Sequence, residues 1–342
     1  MRRRILAAVA LSLMCAAGAV HTAAAADYGA SQAQQQVDQP LNNAPVWREA
    51  RSGEAQFTTV KGVETGVLIQ SGGETWRALR NGPITLYGGI MLCLVALTIG
   101  IFYKLRGEIR LRESPSGRHI QRFNAGERVI HWGVAITFCI LALTGLMTLF
   151  GKHVVLPLLG HEAYSWLAVL SKSLHNFIGP LFLVFLVSMF FLFVKDNVWQ
   201  SCDALWIRKA GGLFTGDHVP SHRFNFGEKT WFWFGVFFLG LSVSGSGLVL
   251  DFPNFEQGRG IMQIANIIHV VGALVVIALS LGHIYIGTIG MQGAYESMRY
   301  GHVDETWIRE HHELWYEEHK NEVVPIGSGT PDEQPARVMH GS

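Results

Sequence analysis

Charge is scarce in this chain. Asp, Glu, Lys and Arg supply only 15% of 342 residues against 49% hydrophobic ones, and mean hydropathy is positive. That balance excludes a soluble domain of this size and reads as a membrane protein. A net charge of +1 gives no support to a nucleic-acid partner, so what matters is where the few charges lie. Cysteine is equally sparse: Cys15 falls in the leader, Cys93 and Cys139 in apolar segments and Cys202 in a polar loop, with no C-x-x-C and no C-x-x-C-H. A disulfide framework, a zinc site, a cysteine-held iron-sulfur cluster and a covalently attached c-type haem therefore lack the residues they need.

What is present begins with a leader. "MRRR", an apolar run from Ile5 to Val20 and Ala24 to Ala26 before Asp27 predict a cleavable signal peptide over 1–26. Residues 27–81 are predicted to lie outside the cytoplasm as a periplasmic segment. Its Gln-rich start, "SQAQQQVDQ", has too few apolar residues for a core and is expected to be disordered. Its end, "GVLIQSGGETWRALRNGP", predicts a short strand, a Gly-Gly turn and a Trp-containing turn.

Five apolar stretches of spanning length follow, at about 84–103, 129–151, 170–194, 231–250 and 261–290. The fold class expected is an all-α integral membrane protein, a bundle of about five transmembrane helices. It divides into a first helix over 82–104, a cytoplasmic loop over 105–128, a four-helix core over 129–294 and a cytoplasmic tail over 295–342 that is disordered at its end. The connections at 104–128 and 195–230 carry seven and five Lys or Arg, whereas those at 152–168 and 251–260 carry one each, Lys152 and Arg259. By the positive-inside rule the first two face the cytoplasm, which agrees with the signal peptide and sets the mature N-terminus outside and the C-terminus inside.

Two of those cytoplasmic connections end alike. "RFNAGERVIHW" at Arg122–Trp132 is matched by "RFNFGEKTWFW" at Arg223–Trp233, seven positions obeying R-F-N-x-G-E-[RK]. Asn124 and Asn225 suit helix N-caps, and Glu127 and Glu228 three residues on suit capping boxes. Capping explains Asn and Glu but not His131, which stands where the second copy has Phe232.

Histidine inside a span is costly and is by default a functional signal. The chain has four: His131 early in helix two, His175 early in helix three, His269 and His283 in helix five. The alternating directions of the helices set His131 and His283 at the inner level and His175 and His269 at the outer level. Fourteen residues separate His269 from His283, roughly 21 Å of rise and about 40° short of four full turns, so both face one side of their helix. One helix can then give one axial ligand to each of two stacked b-type haems, with His131 completing the inner and His175 the outer. Gly179, Gly272 and Gly282 beside these histidines would let a flat macrocycle approach, although tight helix contact explains such glycines equally, as it does Gly240, Gly245 and Gly247. A proton relay or interfacial histidines also fit the four positions, and spacing alone does not separate them.

The segments "ERVIHW", "SKSLHNFIGP", "RFNFGEK", "NIIHVVGAL", "LGHIYIG" and "HVDETWIREHHELWY" together resemble the cytochrome b (gamma) subunit of membrane-bound formate dehydrogenases, in order from Ile120 to Lys320. The leader, the outer segment and the first helix are an N-terminal extension on that family's four-helix form. The resemblance implies haem ligands, and so ligands of the haem iron, at His131, His175, His269 and His283. It implies a quinone site at Asn225, Gly227 and His283, and no residue that itself oxidises formate, so no catalytic residue is assigned. It implies separate partner chains: an iron-sulfur beta subunit and a molybdenum- or tungsten-containing alpha subunit. The expected function is electron transfer from a periplasmic iron-sulfur subunit through two haem b groups to membrane quinone, in the bacterial inner membrane during anaerobic respiration. The cytochrome b of a nickel-iron hydrogenase or another molybdoenzyme shares this wiring. A transporter would want carboxylates between the histidines and broken helices, and the spans hold almost no carboxylates; a structural anchor leaves the four histidines unexplained.

Overall fold

The computed structural model describes residues 47–48, 51–52, 71–212, 219–255 and 257–325. The signal peptide, the Gln-rich start, the segment "GVLIQ" ahead of the Gly-Gly pair and the end of the tail lie outside the described residues.

The chain order is α1 (Ser71–Leu79), a π-helical turn (Arg80–Ile84), α2 (Thr85–Arg106), β1 (Arg118–Gln121), α3 (Ala125–Phe193), α4 (Ser201–Arg208), α5 (Phe226–Thr230), a π-helical stretch (Trp231–Leu239) and α6 (Gly240–Asp251). Then come α7 (Arg259–Tyr285), a π-helical turn (Ile286–Gly290), α8 (Ala294–Tyr300), β2 (His302–Asp304), α9 (Glu305–His311), α10 (Glu313–His319) and β3 (Val324–Pro325). Among the described residues, four continuous helices are long and apolar enough to cross a membrane: Gly72–Arg106, Ala125–Asn197, Phe226–Asp251 and Arg259–Gly290. The second, 73 residues long, breaks at Gly160, whose φ of 78° and ψ of 175° suit only glycine. It therefore supplies two arms, each roughly 50 Å long and more than enough to span. A hydrogen bond between Thr144 of one arm and His175 of the other shows that the chain doubles back there. The five expected spans are thus present.

Two expectations are corrected. Gly72, Gly73 and Trp76, read as turns, lie in α1, which runs through the Pro83-containing π turn into α2. The glycines fall in the first turn, where intrahelical bonds are fewest, Glu74 complements the helix N-terminus, and the Trp76 indole N–H donates to Asn266 Oδ1 at 3.1 Å. The connection at 152–168, read as a loop, is helical except at Gly160, because helices longer than the bilayer project beyond it.

The described residues form two compact units. The first draws on the described residues up to 97, within 139–180 and within 242–278. Its helices meet at small residues: a Cβ on Gly88 would lie 2.5 Å from Leu274, and one on Gly272 would lie 2.8 Å from Val243.

The second unit draws on the described residues within 98–138 and 181–241 and from 279 to 325, and adds an extramembrane cap to its helices. There β1 lies between β2 and β3, antiparallel to both, with Ile120 opposite Val303 and His119 opposite Val324. Ile120, Val303, Trp307, Ile308, Trp315 and Val323 bury a core beneath this sheet. The loop and tail read from the sequence thus fold upon each other. Strands of four, three and two residues are too short to announce themselves by alternation.

Candidate functional site

The two copies of the repeat meet in the second unit and hold each other reciprocally. Arg122 donates to the Arg223 carbonyl at 2.8 Å and to Glu228 at 2.9 Å, while Arg223 donates to the Arg122 carbonyl at 2.8 Å and to Glu127 at 2.8 Å. Each guanidinium also lies over Phe123 and Phe224. Asn124 and Asn225 cap their helices by accepting from the Glu127 and Glu228 N–H groups, each at 3.0 Å, and both capping boxes close. Arg, Phe, Asn and Glu of the shared pattern are accounted for by this local two-fold arrangement.

The copies differ just beyond it, and there the chemistry begins. The first copy supplies His131, the second Trp231, and both lie against His283. The centroids of His131 and His283 are 6.3 Å apart, while Trp231 stacks on His283 at 5.0 Å with the rings 16° from parallel. Trp231 opens a π-helical stretch, and a Cβ on Gly235 would come within 2.4 Å of its ring, so Gly235 clears the space the indole needs. His131 Nδ1 is buried with no hydrogen-bond partner among the described residues.

The first unit brings His175 and His269 together with centroids 5.9 Å apart. His269 Nδ1 lies 2.9 Å from the Val243 carbonyl oxygen. A carbonyl only accepts, so Nδ1 carries the proton and Nε2 keeps its lone pair. His175 Nδ1 lies 2.8 Å from Thr144 Oγ1. The sequence reading gave no sign of Thr144, Val243 or Trp231, since none has a spacing or composition signal of its own.

An imidazole nitrogen about 2 Å from a metal puts its ring centroid about 3 Å away, so two trans imidazoles have centroids about 6 Å apart. Both pairs match that figure. No group of three or more His, Cys, Asp or Glu able to hold a bare metal ion occurs among the described residues. Two imidazoles at this spacing would suit an iron whose other four donors came from a macrocycle, so the residues present are compatible with a b-type haem. Of the glycines beside the histidines, Gly179 and Gly282 have open space where a side chain would be, whereas Gly272 and Gly240 serve helix contacts with Val243 and Leu186.

The residues expected at a quinone site are also in the second unit. Asn225 is the cap of α5, and Gly227 leaves room for Trp206, whose ring would be 3.1 Å from a Cβ there. Their copy reaches His283 through the Trp231 ring.

Known proteins share this arrangement of sequence. The Escherichia coli K12 formate dehydrogenase cytochrome b556(fdo) subunit is 29% identical over 208 residues, covering 58% of this chain and 92% of that one. The nitrate-inducible formate dehydrogenase cytochrome b556(Fdn) subunit of the same strain is 26% identical over 203 residues, covering 56% and 88%. The Haemophilus influenzae Rd formate dehydrogenase cytochrome b556 subunit is 22% identical over 216 residues, covering 60% and 86%. The family model for prokaryotic cytochrome b561 matches residues 122–301, a stretch that starts at the first repeat and takes in all four paired histidines. A membrane-spanning helical chain matched over more than half its length, this protein belongs to the prokaryotic cytochrome b561 family.

Proposed function

We propose that this chain is the dihaem cytochrome b subunit of a membrane-bound formate dehydrogenase, taking electrons from a periplasmic iron-sulfur subunit and delivering them to quinone at the cytoplasmic side. The observation that carries the reading is the pair of imidazoles brought together in each unit, with ring centroids at the spacing that two ligands of one iron would have. The names of the relatives support the formate dehydrogenase assignment, with the molybdenum- or tungsten-containing alpha subunit and the iron-sulfur beta subunit as separate partners. A haem held by these histidines would supply a one-electron couple.

The chain's own residues hold, orient and exclude. His175 and His269 form one ligand pair, His131 and His283 the other. Thr144 and the Val243 carbonyl orient the first pair, and Trp231 shields one face of His283. Near that second pair, the Asn225 cap uses its amide oxygen, which leaves the amide NH2 as a donor for a quinone carbonyl, while the space beside Gly227 is given to the Trp206 ring. The reading carries the domain plan with it: signal peptide over 1–26, periplasmic segment over 27–81, helix over 82–104, cytoplasmic loop over 105–128, core over 129–294 and cytoplasmic tail over 295–342.

The purified chain should give a reduced b-type spectrum with about two haems per polypeptide, extractable because no C-x-x-C-H is present. His175→Ala or His269→Ala should remove one haem, and His131→Ala or His283→Ala the other. Full occupancy by a single haem would sink the pairing.

A further inference from the structure

The two histidine pairs differ in what holds the nitrogen facing away from the ligand position, and the difference has a direction. At His269 the Val243 carbonyl, 2.9 Å from Nδ1, can only accept. At His175 the partner is the Thr144 hydroxyl, 2.8 Å from Nδ1. That hydroxyl also lies 2.8 Å from the Ile140 carbonyl one turn back and 3.2 Å from the Leu141 carbonyl. With Nε2 kept for the ligand position, Nδ1 carries the proton, so the hydroxyl accepts from His175 Nδ1–H and gives its own proton to the helix carbonyl. Both imidazoles of this pair are therefore Nδ1-protonated, present Nε2 lone pairs and donate to oxygen. Two glycines give access: a Cβ on Gly145 would lie 3.4 Å from His175 Cε1, and one on Gly247 would lie 3.0 Å from His269 Cε1.

The other pair is built differently. His131 Nδ1 is buried without a partner among the described residues, and His283 rests its ring on Trp231.

Resting on the dihaem reading, we propose that Thr144 and the Val243 carbonyl are positioning groups that set the potential of the haem held by His175 and His269 below that of the haem held by His131 and His283. Donation from Nδ1–H raises the electron density at Nε2, which favours ferric over ferrous iron and lowers the midpoint potential. The bare His131 Nδ1 gives its iron no such bias. Electrons then run downhill from the 175/269 pair to the 131/283 pair, which makes the former the input site and the latter the site that faces the oxidant.

Spectropotentiometric titration of the purified chain with its haems tests this, the two waves being assigned with His175→Ala and His131→Ala. The 175/269 wave should lie at the lower potential. Thr144→Val should raise it and leave the other wave in place, Thr144→Ser should keep it at the wild-type position, and Gly247→Ala, by pushing His269 from the Val243 carbonyl, should raise it too. A Thr144→Val protein with both haems and unshifted waves overturns the inference, as does an equal shift in Thr144→Ser, which would mark a packing effect. Should Thr144→Val shed that haem, Gly247→Ala decides between a raised wave and an unshifted one. A chain with no b-type haem at all by pyridine haemochrome assay would fail the dihaem reading itself, a separate result from haems present at unaltered potentials.

Discussion

His312 lies wholly buried in the extramembrane cap, 1% exposed, with its Nδ1–H donating to the His222 carbonyl at 2.7 Å. Burial first, and then the nearby Arg122 guanidinium, push its pKa down to about 3, against an upward pull from Glu228, whose Oε2 lies 3.7 Å from Nε2. His312 is thus neutral in the fold and takes up a proton more readily once unfolded. Its contribution is fully present above the unfolded pKa near 6.5 and is lost as pH falls from there towards 3. At pH 5 this amounts to about 2 kcal/mol of lost cap stability. Protease sensitivity of the segment bearing Trp307 and Trp315 should rise between pH 7 and 5 in the wild type, and His312→Gln, which cannot titrate, should flatten that rise. An identical rise in the variant would remove His312 as the cause.

Among elements, the two caps make a matched control, because Asn124 and Asn225 have the same bonds in the same local arrangement. Asn124→Ala and Asn225→Ala should each cost about 1 kcal/mol of stability. If Asn225 also donates to quinone, only its variant should slow reoxidation of the reduced cytochrome by quinone, with both haems retained; rapid-mixing absorbance separates the two, and equal rates would reduce Asn225 to a cap. Gly160 is the other element-scale hinge. Its φ of 78° with an extended ψ is a region in which a side chain is strained, so Gly160→Ala should lower stability by about 1–3 kcal/mol, visible as a lower thermal midpoint in detergent. A variant as stable as wild type would show that the break between the two arms tolerates a Cβ.

For the whole molecule the decisive question is orientation. Lys and Arg crowd the connections at 104–128 and 195–230 and are nearly absent from those at 152–168 and 251–260. Under the proposed function, the positive-inside rule predicts the second unit's cap on the cytoplasmic side and the electron donor on the other. A reporter active only in the cytoplasm, fused after Ser342, should be active. An inactive fusion in an expressed and inserted protein would reverse the topology and with it the direction of electron flow.

How much was legible in the chain follows from the range of each signal. Five spans, the four histidines within them and the two Asn-Glu caps all arise within one helix, from length, hydropathy and local capping chemistry, and the sequence by itself determined them. The continuation of α3 through the expected loop was not legible, because apolar length alone does not say how far a helix projects beyond the bilayer. Nor were the helical start at Ser71 and the three short strands, because each depends on a partner far along the chain: Asn266 for Trp76, Val303 for Ile120. The same holds for the crossed arginines, for Trp231 on His283 and for the acceptors at Thr144 and Val243. Only the tertiary structure decided these. Rotation and register between packed helices select which side chain faces which, and in a lipid-facing sequence of uniformly apolar residues no periodicity records that choice.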